Sequence, residues 1–288
     1  MLKKIGLYLK FVKFSHTVFA LPFALIGYFL AYKQAHPSWI SFILILLAMV
    51  FARSAAMGFN RYADRYFDKL NARTANRELP SGKISEKQAL IFVAVSASLF
   101  ILVTYFMNKL VFYLSPVALA IILGYSYTKR FTNLTHLILG LGLSLAPIGA
   151  YLAVIPKFSL EPIMFSLIVL FWVAGFDIIY ALQDYQFDKT HGLKSLPVAL
   201  GKKNALDLSV FFHIITAVLV IATGIIFDFN VLYWIGSAIF IGLLIYQHLL
   251  VKPDDLSKVG IAFGTVNGFA SIIYATFVIL DLFITLRF

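Results

Sequence analysis

Asn60, Asp64 and Asp68 recur at every fourth residue within the stretch from Arg53 to Lys83, RSAAMGFNRYADRYFDKLNARTANRELPSGK. No Pro or Gly interrupts Phe59 to Lys69, so the spacing predicts one helix that carries all three oxygen-bearing side chains on a single face. Arg53 stands two turns before Asn60 on roughly the same side, and Arg61, Arg65, Arg73 and Arg77 crowd around it. A second stretch, DIIYALQDYQFDKTHGLKS, sets Asp177, Tyr180, Asp184 and Asp188 at offsets of three, four and four. Superposing Asp68 on Asp188 lays Phe67-Asp68-Lys69 over Phe187-Asp188-Lys189 and Asp64 over Asp184. This internal duplication leads to the expectation of two helix-plus-loop units facing one another across a shared pocket.

Carboxylates four residues apart can hold an oxygen-seeking divalent cation, and Mg²⁺ takes one or two of them before filling its octahedron with water and phosphate oxygens. Two such pairs suit magnesium ions gathered around a diphosphate, whose departing oxygen is stabilised by metal and by basic side chains. The organic part of that diphosphate has to come from the membrane, because both motifs adjoin long apolar runs. A polyprenyl diphosphate meets this requirement. Its ionisation gives an allylic cation, which each aromatic face stabilises by roughly 0.5–2 kcal/mol; Tyr125, Tyr127 and Tyr180 lie nearest the expected site.

The elements that position these motifs follow from composition. With 288 residues, 61% hydrophobic, 13% charged and a mean hydropathy of +0.90, the chain reads as an all-α polytopic membrane protein. Windows long enough to span a bilayer fall at 14–32, 38–58, 88–107, 111–128, 134–154, 160–180, 208–228, 231–250 and 259–285. Nine spans around a central cavity are therefore expected, in one domain covering residues 1–288. The apolar run beginning near the N-terminus shows no small-residue cleavage site, so it is expected to be retained as the first helix. A cytoplasmic N-terminus places 19 Lys and Arg inside, leaves Lys33, Lys109, Lys157 and Arg287 outside and puts Arg53 within a span. That bias predicts an inner-membrane protein with residues 59–87 and 181–207 on the cytoplasmic face. The net charge of +11 is thus assigned to topology, with no nucleic-acid partner, and the absence of cysteine excludes thiolate chemistry and disulfides.

FNRYADRYFD with RTANRELPSG, and DIIYALQDYQFD with GLKSLPVALG, closely resemble the paired signatures of the UbiA superfamily of intramembrane aromatic prenyltransferases, in particular its 4-hydroxybenzoate polyprenyltransferase-like branch. YSYTKRFTNLTHLILGL and Asn267 extend the likeness over nearly the whole chain. The resemblance implies that Asn60, Asp64 and Asp68 form one metal-diphosphate motif and Asp184 and Asp188 the other, with Mg²⁺ as cofactor and a cytoplasmic cap over nine helices. It also implies that Arg65 and the Lys129-Arg130 pair hold diphosphate or the aromatic acid. Arg61 follows Asn60 where the common pattern has Asp. That change resembles a menaquinone-linked branch, so 1,4-dihydroxy-6-naphthoate stands beside 4-hydroxybenzoate as acceptor.

An electron-rich ring must then be held against C1 of the prenyl chain with water excluded. Arg53 suits the acceptor carboxylate, because a guanidinium pairs with it in a planar fork. Asp177 suits a ring hydroxyl or a proton, and Tyr180 lines the same site. His16, His36, His136, His191, His213 and His248 show no metal-ligand spacing and are expected to be structural. Gly140, Gly142 and Gly149 are expected to permit close helix packing, and Asp281 to be solvated near the far membrane face. Other acceptors such as haem, chlorophyllide or a glycerol-phosphate lipid would use the same motifs, and intramembrane carboxylates could instead mark a transporter or channel.

Overall fold

The computed structural model describes residues 2–13, 17 and 19–284, which form helices and short helical turns without a β-strand. His16, Arg287, the start of the window opening at residue 14 and the side chains of Lys3 and Lys4 lie outside what is described. Among the described residues eight helical stretches are long and apolar enough to cross a membrane. They match eight of the nine expected spans. The first window overlaps a shorter helix, α2 (Leu21–Ala35), which His36 closes in the left-handed conformation. The chain divides into two compact units, one of Met1–Thr17 with Ser38–Tyr127 and one of Val18–Pro37 with Thr128–Phe288.

In the first unit α3 (Trp39–Ala63) packs on α5 (Glu86–Tyr105) and α6 (Lys109–Gly124). A capping box starts α5, with the Ser85 hydroxyl accepting from the Gln88 backbone and the Gln88 side chain accepting from the Ser85 backbone. The N-terminal helix α1 (Leu2–Phe11) lies beside α3. Its end is buried through Phe11 and Val12 against Leu79, Ile84 and Ala89, and Tyr8 stacks on Phe92. The carbonyls that close α1 accept from arginines of α3: Arg53 Nη2 reaches Lys13 O at 3.1 Å and Arg61 Nε reaches Phe11 O at 3.5 Å. A cation at a helix C-terminus satisfies orphan carbonyls and opposes the dipole.

The second unit is built on α8 (Leu160–Ala181), which packs against α7 (Thr135–Val154) and α10 (Leu196–Ile226). Between Glu161 and Asp177 the sequence of α8 has no ionisable residue, and Phe165, Ile168, Val169, Trp172 and Val173 are fully buried. A helix apolar on every side must be enclosed. Gly140 makes the approach of α7 to α8 possible, since a β-carbon there would collide with the Leu170 carbonyl; no neighbour approaches Gly149, so close packing does not explain that glycine.

α11 (Val231–Leu250) pairs with α12 (Asn267–Phe283), and their junction corrects one expectation. Asp281 is buried, not solvated. Its carboxylate accepts from the backbone of Asn230 at 2.8 Å and of Tyr233 at 3.0 Å, so it caps the start of α11 from a different helix. The sequence hides this because the partners are 51 and 48 residues away. Asp281→Ala should cost about 1–3 kcal/mol by leaving buried N–H groups unpaired. Thermal unfolding in detergent checks this, and an unchanged midpoint would contradict the capping role.

Candidate active site

The first motif is not one continuous helix. α3 ends at Ala63, Asp64 takes φ −91° and ψ 2°, and a six-residue helix α4 (Arg65–Leu70) follows. The second motif repeats the arrangement: α8 ends at Ala181, a short 3₁₀ turn carries the chain to Asp184 at φ −99° and ψ 3°, and the six-residue α9 (Tyr185–Thr190) follows. Both first aspartates thus occupy the sparsely populated bridge region where turn and active-site residues gather. Both second aspartates, Asp68 and Asp188, sit at the fourth position of their short helix and are buried. The expected single helical face is therefore broken at Asp64 and at Asp184, because each carboxylate lies at a turn where a long span gives way to a short helix.

Both buried carboxylates have an Oδ2 that lacks a hydrogen bond. Asp68 Oδ1 accepts from Arg77 Nη1 at 2.7 Å, while its Oδ2 is buried without a hydrogen-bond partner. Asp188 Oδ2 lies 3.7 Å from Lys129 Nζ, too far for a hydrogen bond, and is likewise buried without one. Asn60 Nδ2 donates to Asp64 Oδ2 at 3.1 Å, tying the first two members of the motif together. Asp184 is buried as well. An unpartnered carboxylate oxygen in a low-dielectric site is costly, and a hard cation is the group that removes the cost. The donor set is all oxygen, which suits magnesium. No three His, Asp or Glu converge among the described residues, and magnesium held by one or two carboxylates and substrate oxygens needs no such cluster.

The remaining expected residues divide by surroundings. Arg53 Nη2 is fixed on Lys13 O and its Nε is buried without a partner, so the guanidinium is oriented with donors to spare. Arg65 is engaged locally, stacking over Tyr62 at 4.2 Å, donating to Tyr62 O at 2.8 Å and pairing with Glu86 at 2.9 Å. Lys129 faces Asp188, whereas Arg130 is exposed. Tyr180 lies on Phe263 with centroids 4.1 Å apart, in an aromatic chain that continues through Phe176 to Trp172. Tyr127 meets Phe59 edge-on. Asn267 belongs to a buried network, accepting from Trp172 Nε1 at 2.8 Å and donating to Gln247 at 3.0 Å.

Two groups escaped the sequence reading. His136 Nδ1 lies 2.7 Å from Asp177 Oδ2 across 41 residues. Lys13, counted only as a topogenic charge, lies within the field of Arg61, Arg73 and Arg77. The run of four basic residues before the first span was the available signal for Lys13; for His136 there was none.

A match to the UbiA prenyltransferase family covers residues 20–273. The chain belongs to that family. A UbiA homologue from Aeropyrum pernix K1, solved in its apo form, is 33% identical with a TM-score of 0.84 over 92% of this chain and 98% of its own. A 4-hydroxybenzoate octaprenyltransferase of Aliivibrio salmonicida is 33% identical over 219 residues, 76% of each chain. A UbiA homologue from Archaeoglobus fulgidus bound to GPP and Mg²⁺ shares the fold at 23% identity, with a TM-score of 0.68 over 92% of this chain and 99% of its own. This UbiA protein is thus a multi-pass membrane prenyltransferase, and the transporter and channel readings are set aside.

Burial, then the charges of Arg61, Arg77 and Arg73, push the Lys13 amine from its ordinary 10.5 down to about 8, with Glu78 opposing. The unfolded chain holds that proton to higher pH, so the cost of a charged Lys13 is fully present below about pH 8 and disappears as pH rises to about 10.5. Lys13→Met should therefore melt above wild type at neutral pH, with the gap closing across that window. A gap that is absent or independent of pH would show that the cluster does not strain Lys13.

Proposed function

We propose that this UbiA protein transfers a polyprenyl group from polyprenyl diphosphate to an aromatic acid bearing a ring hydroxyl, in quinone biosynthesis. The observation that carries the reading is the matched pair of buried carboxylates, Asp68 and Asp188, each with an Oδ2 that lacks a hydrogen bond and each four residues after an aspartate at a helix break. Relatives named 4-hydroxybenzoate octaprenyltransferase and the neighbour holding GPP and Mg²⁺ support the same chemistry.

Asn60, Asp64, Asp68, Asp184 and Asp188 would supply oxygen ligands for magnesium, which would serve there as a Lewis acid toward the diphosphate leaving group. Lys13, Arg73 and Arg77 receive diphosphate oxygens, as an anion there relieves the mutual repulsion of the cluster. Arg53 takes the acceptor carboxylate with its spare donors, and Asp177 takes the ring hydroxyl. Tyr180 and its aromatic neighbours shield the allylic cation. The basic-residue bias favours these motifs on the cytoplasmic side of the cell membrane. The acceptor is of the 4-hydroxybenzoate type. 1,4-Dihydroxy-6-naphthoate is kept as a second reading because Arg61 replaces the usual Asp; it is buried and turned onto the end of α1.

Purified protein should release diphosphate from a polyprenyl diphosphate only when both Mg²⁺ and an aromatic acid are present, and Asp64→Ala or Asp184→Ala should lower turnover by about 10²–10³-fold or more. Full activity in the double variant would defeat the assignment. Arg53→Ala should raise KM for the aromatic acid by roughly tenfold, the worth of one charge-assisted hydrogen bond, and leave that for prenyl diphosphate within about twofold. Equal changes in both would remove Arg53 from the acceptor site.

A further inference from the structure

His136 opens α7 with its side chain fully buried, and its Nδ1 meets Asp177 Oδ2 at 2.7 Å from the neighbouring α8. The two ends of this pair differ. The Asp177 side chain keeps 13% of its surface exposed and His136 none, so only the carboxylate can reach a bound molecule. An ionised carboxylate only accepts, which puts the ring hydrogen on Nδ1. His136 Nε2 is buried with no hydrogen-bond partner, so the surroundings supply no acceptor that would favour a hydrogen there. The ring is thus fixed in one tautomer and held behind the carboxylate. Asp177 is the first ionisable residue after 15 positions of α8 without one.

We propose that His136 is a positioning residue for the transfer step: its Nδ1–H holds Asp177 Oδ2 so that Oδ1 is aimed at the hydroxyl of the acceptor ring. This rests on the aromatic-acceptor reading above. As the ring carbon beside the hydroxyl bonds C1 of the prenyl chain and the C1–O bond to diphosphate breaks, the hydroxyl proton passes to Asp177. The substituted carbon then gives up its own proton to the released diphosphate, and the ring oxygen recovers one from Asp177. His136 keeps its hydrogen throughout. An acceptor with a free hydroxyl next to an unsubstituted ring carbon is the substrate class this arrangement selects.

The test compares His136→Asn, whose amide nitrogen can stand where Nδ1 stands, with His136→Leu, which has no donor. Both are assayed with 4-hydroxybenzoate and a polyprenyl diphosphate, and His136→Gln, which reaches only toward Nε2, replaces the Leu variant if that one does not accumulate. The expected kcat is about 10²-fold below wild type for Leu or Gln and at least about tenfold higher for Asn than for either, with KM for prenyl diphosphate within about twofold throughout. A ratio below tenfold, or a KM for prenyl diphosphate that moves as far as kcat, overturns the role. If wild type prenylates neither 4-hydroxybenzoate nor, assayed in its place, 1,4-dihydroxy-6-naphthoate, the aromatic-acceptor reading and this role fall together. An active wild type with a ratio below tenfold sinks the role of His136 alone.

Discussion

The structure turns on carboxylates buried at the ends of apolar helices with only part of their oxygen lone pairs satisfied. Arg77 takes one oxygen of Asp68 and Lys129 approaches Asp188, but in both residues Oδ2 is buried without a hydrogen bond. Removing an ionised carboxylate from water without full compensation costs several kcal/mol. A chain could avoid that cost with an amide or an apolar residue; this one incurs it twice, at matching positions. The donor type, oxygen alone, and the bases around it make a cation-bearing polyanion the natural complement.

Local geometry places the oxygens. A helix that continued through Asp64 would set Asn60, Asp64 and Asp68 along one stripe parallel to its axis. The break there, and the similar one before Asp184, lets a six-residue helix turn its buried aspartate independently of the long span. Thr74, donating to Asp68 O at 3.0 Å, holds the end of the first short helix. The N-terminal segment is drawn in from the other side, because Arg53 and Arg61 are occupied by the carbonyls that end α1. That contact sets Lys13 within the field of Arg61, Arg77 and Arg73, a repulsion that a bound anion would relieve.

Much of this was legible in the sequence, for physical reasons that also mark the limits. Hydropathy locates spans because a bilayer imposes length and apolarity together, and eight of nine windows coincide with helices able to cross one. Fourfold spacing found the aspartates, since periodicity reports a helical face even when a turn interrupts it. Spacing could not report the interruption, because Asp64 and Asp184 are compatible with both helix and bridge conformations. Tertiary pairings were invisible too: His136 with Asp177 and Asp281 with Asn230 join residues 41 and 51 apart, and nothing local distinguishes a carboxylate capping a distant helix from one facing water. Lys13 was read only as a topogenic charge, because nothing local in the sequence reports its nearness to Arg61, Arg73 and Arg77.

The central claim is that the unpartnered oxygens of Asp68 and Asp188 are cation ligands in the presence of diphosphate. Electron paramagnetic resonance of Mn²⁺ in place of magnesium, with a non-ionising prenyl thiodiphosphate bound to the purified protein, tests it directly. Wild type should show bound Mn²⁺ coupled to ³¹P, and Asp68→Asn and Asp188→Asn should each weaken that signal or abolish it. Unaltered Mn²⁺ binding and ³¹P coupling in either variant would contradict the account.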